Sequence, residues 1–407
     1  MTHALIIGGG IAGPVSAMAL HKAGIGATVY EAYPAPADDV GAFLVLFHNG
    51  LEALRTIDAH RPVLDASFPA DRVEMLDAQG HGRERPVSGS GTADGRPVLG
   101  PRTLRRSALY RALREEAERR GVAVEFGKRL VAAGVGPDGR VTARFADGSS
   151  ARGDVLLGAD GVRSLTRTLI DPEAPAPRHT GQITVCGFSP LVPAEAAPAP
   201  GVYRMIRGSR AFLGCTRAPD GAVWWFANTP GGELAPERLA AGTPEQRAGW
   251  RDHVAGLFAD DASPAEAVVR ATGDRIVAFN AYDLAHTPVW SRGPMVVLGD
   301  AAHTAAPNAA QGASLAIEDG VVLARCLRDL PLPGEAFAAF ERLRRARVEG
   351  LVDRSARLNA RVVPGAGRHA DRPGPGAAGG PEAESGDPAD RFLHYRIDWD
   401  APVSAAG

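Results

Sequence analysis

The 407-residue chain is predicted to be an α/β fold: a Rossmann-like parallel sheet with helices, an inserted β-rich unit and a C-terminal helix. Three observations predict it. Apolar runs at Ala4-Leu5-Ile6-Ile7, Val155-Leu156-Leu157 and Met295-Val296-Val297-Leu298 each lead into a glycine-bearing turn. That is the pattern of a buried parallel strand handing over to a helix. Between about 176 and 279 the pattern changes to short β-like runs broken by Pro and Gly. Phe337 to Ala360 then reads as one long amphipathic helix.

The first strand runs into Gly8-Gly9-Gly10-Ile11-Ala12-Gly13, which matches G-x-G-x-x-G. The first glycine allows the tight turn, the second lets backbone approach a pyrophosphate, and the third lets helix and strand pack closely. Val15 to Leu20 carry the helix, Gly24 and Gly26 stop it, and a second strand, Ala27 to Tyr30, delivers Glu31. A carboxylate about 20 residues after the glycines accepts hydrogen bonds from a ribose diol. Strand, glycines, helix, strand and acid in register predict a dinucleotide site. A ligand-free βα turn has no need of the acid.

Composition narrows the class. Apolar content of 45%, charged content of 23% and a net charge of −2 describe an ordinary globular chain and argue against a nucleic-acid partner. No run reaches the roughly 18–20 apolar residues of a membrane span, and the glycine motif at the start reads as fold rather than leader. Cys186, Cys215 and Cys326 are few, odd in number and far apart, which fits a reducing cytoplasm and small buried side chains. The 11 histidines show no H-E-x-x-H spacing and no C-x-x-C accompanies them, so no metal site is expected.

After the loop at Tyr33-Pro34-Ala35-Pro36, an apolar stretch ends at His48, with Asn49-Gly50 as a turn or cap. His48 reads first as structural, with a ligand-facing role as the alternative. Residues 71–97 read as a hairpin of the β-rich unit. Leu109, Leu113 and Ala117 then share a helix face, with Arg106 one turn before Leu109. A guanidinium in phase with that buried stripe needs an anion, and a pyrophosphate is the natural one. Gly158-Ala159-Asp160-Gly161-Val162-Arg163-Ser164 repeats the strand-to-turn pattern with a carboxylate at its tip, and Gly299-Asp300-Ala301-Ala302-His303 does so again. Gln311-Gly312-Ala313-Ser314 opens a helix to about Leu327 whose N-terminal N–H groups suit an electron-rich ligand edge. In the β-rich unit, Met205, Phe212, Trp224 and Trp225 are the pocket-lining candidates, against a default of core.

The domain plan is therefore discontinuous: 1–70, 98–175 and 280–363 form the nucleotide-binding domain, and 71–97 with 176–279 the β-rich substrate domain. Residues 364–390, rich in Pro, Gly, Ala and Glu, form a linker, and 391–407 a tail that regains aromatics and docks back on the body.

Taken together, GGGIAG with Glu31, Arg106, GADGVRS and GDAAH resemble the class A, single-component FAD-dependent monooxygenases, the aromatic hydroxylases, over residues 1 to 360. The resemblance implies FAD as cofactor. Gly8, Gly10, Ile11, Ala12 and Gly13 would hold its pyrophosphate, Glu31 its adenosine ribose, and Arg106 would lie along the pyrophosphate and ribityl region. Asp160 is similar to the family residue tied to FAD contact and NAD(P)H use. Asp300 would bond the ribityl or pyrophosphate end, and Gly312, Ala313 and Ser314 would present N–H groups to the flavin. The implied activity is that NAD(P)H, bound transiently, reduces the flavin, and O₂ forms a C4a-hydroperoxide that inserts one oxygen into a small aromatic or polyketide-like substrate. A role in secondary metabolism follows. Two departures stand out: Ala310 where the family usually has glycine, and His48 where it commonly has proline.

Three rival readings remain. Ala310 keeps open a cyclase that uses FAD as a scaffold without redox work. A plain NAD-dependent dehydrogenase would use the first motif but leave Asp160 and Asp300 without a task. A hydrolase would use Ser314, Asp319 and His369, but lacks the last glycine of G-x-S-x-G.

Overall fold

A computed structural model describes residues 2–36, 42–87, 92–93, 96–362 and 392–405. Its first layer is a six-stranded sheet in the order Ala123–Glu125, Gly26–Tyr30, His3–Ile7, Val155–Gly158, Met295–Val297, Ser291–Arg292. Every pairing is parallel except the last. The His3–Ile7 strand lies at the centre, with Ile7 opposite Tyr30 on one side and Gly158 on the other. Both faces are covered, so Leu5, Ile6, Leu156, Leu157, Val296 and Val297 are buried regardless of the pleat. That is why these strands read as unbroken apolar runs.

The helices Ala12–Lys22 and Gly312–Asp329 pack closely on one another against this sheet. Gly320 sits against Val15 and Ser16 there, where an added Cβ would come within 2.9 Å of Ser16 Oγ. The long helix Pro333–Val362 lies outside them.

The second layer is a seven-stranded sheet in the order Ile276–Asp283, Arg178–Ser189, Val223–Pro230, Phe212–Arg217, Val202–Arg207, Arg72–Leu76, Gly82–Pro86. One face packs on helices Pro244–Gly256 and Ala265–Arg270 through Leu213, Val223, Trp225, Phe258 and Val268. The opposite face carries Phe188, Trp224 and Phe226, which cluster with Phe43 and Phe68 from the first unit. Phe43 and Phe68 come from a small sheet, Phe43–Leu46, Arg102–Arg105 and Phe68–Pro69, that bridges the two layers. The Arg102–Arg105 strand is absent from the sequence-based expectation, which has only the helix carrying Arg106 and Leu109 in this region. That helix begins at Arg106.

Residues 392–405 lie against the body, with Phe392, Tyr395 and Trp399 packed on the main core. The expected linker 364–390 falls outside the described residues. Among those residues, no helix is long and apolar enough to cross a membrane, and no group of three or more His, Cys, Asp or Glu is placed to hold a metal.

Candidate functional site

The three glycine turns lie together at the carboxyl ends of the parallel strands, the edge where open α/β sheets bind ligands. Gly8 has φ 110°, and a Cβ there would fall 2.3 Å from the carbonyl oxygen of Ala159, so the first turn is seated on the second. Gly299 has φ 59° and lies against Ala12 and Ala316, which seats the third turn on the first helix. A Cβ on Gly13 would collide with the Gly8 carbonyl at 1.9 Å. Around Gly10 there is open space instead. A bare backbone facing open space at the start of a helix is what an approaching pyrophosphate requires.

Glu31 closes this end. Its Oε2 accepts from the Gly9 N–H at 2.6 Å and its Oε1 from the Tyr33 N–H at 2.9 Å. The carboxylate is thereby fixed beside the turn, with lone pairs left for ribose hydroxyls.

Arg106 is the first residue of its helix, and Leu109, Leu113 and Ala117 behind it are fully buried. Its Nε donates to Tyr110 Oη at 2.5 Å, and its guanidinium lies over the Tyr110 ring. Tyr110 is the first cause of a raised pKa at Arg106, burial works against it, and Asp300 and Cys186 add to it. The Arg106 side chain is itself exposed to solvent, whereas Cys186 is buried. The Asp300 Oδ1 in turn stands 3.8 Å from where a Cβ on Gly312 would lie.

Asp160 does different work. Its Oδ1 accepts from Ser164 Oγ, and its Oδ2 from the N–H and Oγ1 of Thr166. Both oxygens stabilise the start of the Leu165–Ile170 helix, so the carboxylate shapes the second turn from within. Arg167, buried, ties that turn to the third by donating to the carbonyls of Val162 and Ala301. Burial lowers its pKa, and Asp160 partly offsets this.

At the far end, Gln311 precedes the Gly312–Asp329 helix, whose first N–H groups at Gly312, Ala313 and Ser314 have no intrahelical acceptor. Asn49 fixes this entry by donating from Nδ2 to Gln311 Oε1 and Glu318 Oε1. Ser314 offers only its backbone: its Oγ accepts from the Phe47 N–H and packs against Gly50. Beneath lies a buried ionic network. Asp319 Oδ2 accepts from His303 Nε2 and the Gly299 N–H, and its Oδ1 from Arg344 Nε. Arg344 also pairs with Glu318, which pairs with Arg347. Burial opposes ionisation of Asp319, but His303 and Arg344 hold its carboxyl well below the usual range.

Several expectations need correction. Trp225 is fully buried on the helix-facing side of the seven-stranded sheet, its Nε1 donating to Ser189 and Thr272. Successive strand residues alternate faces, so only Trp224 of the pair meets the aromatic cluster. Met205 and Phe212 share the Trp224 face, since Met205 and Phe226 both pair with Gly214 and Phe212 lies two residues before it. His48 is buried, its Nδ1 at 2.5 Å from the Leu99 carbonyl and its ring parallel to His394; it packs between segments rather than against the aromatic face. The hydrolase arrangement fails because Ser314 and Asp319 are buried and otherwise engaged, while His369 lies outside the described residues. Asn49, Arg167 and Glu318 carry no role in the sequence-based site, and Asp319 enters it only as the acid of the hydrolase alternative. The signal for Asp319 was present, since it lies four residues from both Leu315 and Leu323 on the buried stripe.

Known proteins resemble this chain over most of its length. The family model described as FAD binding domain matches residues 1–355. The aurachin C monooxygenase/isomerase of Stigmatella aurantiaca is 31% identical over 85% of this chain and 85% of its own. A 3-amino-4-hydroxybenzoate 2-monooxygenase of Streptomyces platensis is 33% identical over 86% of each chain. The crystal structure of Klebsiella pneumoniae HpxO complexed with FAD and uric acid superposes with a TM-score of 0.76, at 26% identity and 88% coverage of each chain.

Proposed function

The chain belongs to the FAD-binding-domain family and is an FAD-dependent monooxygenase of the class A type; from that premise we propose that it uses NAD(P)H and O₂ to insert one oxygen into a small aromatic or polyketide-like substrate held against the Trp224 face. One observation carries the reading most directly. The three turns lie side by side at the carboxyl ends of the parallel strands, with open space beside Gly10 and with Asp300 next to the helix start at Gly312.

Bound FAD supplies the electron transfer and oxygen activation. The chain supplies the rest. The first turn would take the pyrophosphate on the N–H groups that follow Gly9, Glu31 would accept from the ribose, and Arg106 would supply a cation toward the phosphates. The N–H groups of Gly312, Ala313 and Ser314 favour negative charge at the ring end of the cofactor. Phe43, Phe68, Phe188, Trp224 and Phe226 exclude water on the substrate side. Arg105, whose guanidinium lies 5.3 Å from the Phe188 ring and 5.4 Å from that of Trp224, closes the cluster.

The test is purification of a yellow protein whose NAD(P)H oxidation consumes O₂, is stimulated by substrate and yields a product heavier by one oxygen. Turnover with the flavin kept oxidised and no nicotinamide would instead make FAD a scaffold. Ala310 motivated that alternative, but its φ of 51° is the backbone a glycine would adopt, so the turn keeps its path.

A further inference from the structure

We propose that Arg105 is a specificity-determining residue: it selects aromatic substrates that bear a carboxylate, holding that group while the ring lies against the Trp224 face. The proposal rests on the monooxygenase reading above, with substrate on that face. It deepens that reading by naming the substrate's charge and the group that reads it.

Strand pairing fixes where Arg105 points. Phe43 and Arg105 are directly opposite one another in the small bridging sheet, and opposed residues of an antiparallel pair share a face. Phe43 packs against Phe188, Trp224 and Phe226 at ring separations of 6.4, 5.8 and 6.2 Å. Arg105 enters the same cluster, in the notch between the edge-to-face rings of Phe188 and Trp224. Ring contacts use the flat face of a guanidinium, whereas its N–H groups radiate in the plane and match the two oxygens of a carboxylate. Arg106, the next residue, turns along its helix to Tyr110 instead. Two adjacent guanidiniums are thereby left to two different ligands.

This corner is accessible to a ligand: Arg105, Phe188, Phe212, Phe226 and Met205 all remain partly exposed. It is also near the flavin end. The strand that carries Phe43 leads to Phe47, whose N–H meets Ser314 Oγ at 3.4 Å at the start of the Gly312–Asp329 helix. Four residues of strand at about 3.3 Å each put the cluster within about 13 Å of that helix start.

Charge on the sheet points the same way. Strand partners place Arg207 in the row of Phe212 and Asn228, Arg85 in the row of Tyr203 and Trp224, and Arg83 in the row of Met205 and Phe226. No carboxylate falls on these three rows of the Trp224 face. A half-buried cation beside apolar rings, on a face whose other charges are positive, attracts an anion more strongly than the same group in bulk water. A neutral isostere gains nothing from it.

The test uses the FAD-loaded enzyme near neutral pH and two isosteric pairs: 4-hydroxybenzoate with 4-hydroxybenzamide, and 3-amino-4-hydroxybenzoate with 3-amino-4-hydroxybenzamide. Binding is read from perturbation of the flavin absorbance. In at least one pair the carboxylate is expected to bind roughly tenfold or more tightly than the amide. Arg105→Gln should cut that ratio to about threefold or less by weakening the carboxylate alone, with FAD content retained. Arg105→Lys should keep an intermediate ratio, because a point charge lacks the planar fork. A merely structural role would weaken both members alike and leave the ratio unchanged, which overturns the proposal. Equal binding within both pairs, or no perturbation by either carboxylate, overturns it as well. If Arg105→Gln does not fold, the wild-type and Arg105→Lys ratios decide in the same sense. Failure to take up FAD or to oxidise NAD(P)H defeats the monooxygenase reading; a loaded, active enzyme indifferent to the carboxylate defeats only the role of Arg105.

Discussion

Ala310 is the residue at which this chain departs most visibly from what its backbone prefers. A left-handed conformation at a non-glycine residue costs roughly 1–2 kcal/mol, while glycine loses about 0.5–1 kcal/mol more chain entropy on folding. Ala310→Gly is therefore expected to stabilise the protein by about 0.5–1 kcal/mol, read as a higher urea midpoint. At Arg106 the expectation is the reverse and falls on the cofactor. A charge-assisted hydrogen bond contributes about 1.5–3 kcal/mol, so Arg106→Ala should weaken FAD binding by roughly ten- to a hundredfold with little change in fold, as measured by flavin fluorescence on dilution. Arg106→Lys should recover only part of this, because a point charge lacks the planar fork. The turn glycines and Glu31 were legible from spacing, whereas Arg106, expected to point inward from helix phase, is exposed at the start of its helix. Trp224 and Trp225 were not separable, since which of two adjacent residues faces a cleft depends on strand register.

Elements show the same divide between local and non-local information. The parallel strands and the Gly312–Asp329 helix were readable because burial on both faces, or a helical stripe, leaves a periodic trace. The Arg102–Arg105 strand was not, because Arg-Thr-Leu-Arg carries no such trace and its pairing partners lie at 43–46 and 68–69. Nor was the ionic network between the Gly312–Asp329 and Pro333–Val362 helices, which needs their relative rotation. Removing one partner of a buried ion pair costs about 3–5 kcal/mol, so Asp319→Asn should destabilise the fold by about that much and loosen the turn at Gly299. The depressed pKa of Asp319 sets a sign for pH. Its stabilising contribution is complete above the unfolded carboxylate pKa near 4 and is lost as pH falls towards the lower folded value. Acid unfolding followed by tryptophan fluorescence should thus be shallower below about pH 4 in Asp319→Asn than in the wild type.

At the scale of the whole molecule, the segment 392–405 is a strap held by arginines of two helices. Arg347 donates to the Phe392 carbonyl and lies 4.2 Å from the Tyr395 ring, Arg328 donates to the Trp399 carbonyl, and Arg325 to that of Ala401. A chain ending at residue 391 should lose at least about 3 kcal/mol, the scale of burying two large apolar side chains, seen as a lower denaturant midpoint. The aromatics of this segment signalled docking, whereas the arginines that receive it looked like ordinary surface. The six-stranded sheet has a consequence of another kind. Its central strand is complete at Ile7, yet the adjoining Val155–Gly158 strand comes about 150 residues later, and Met295–Val297, which pairs with that strand, about 290 residues later. At roughly 5–20 residues per second on the ribosome, the opening strand waits about 15–60 s for the last parallel strand to emerge. The seven-stranded sheet is complete before that strand exists. Its birth order makes the β-rich layer the first of the two that can settle, and the nucleotide cleft the last part of the enzyme to close around its cofactor.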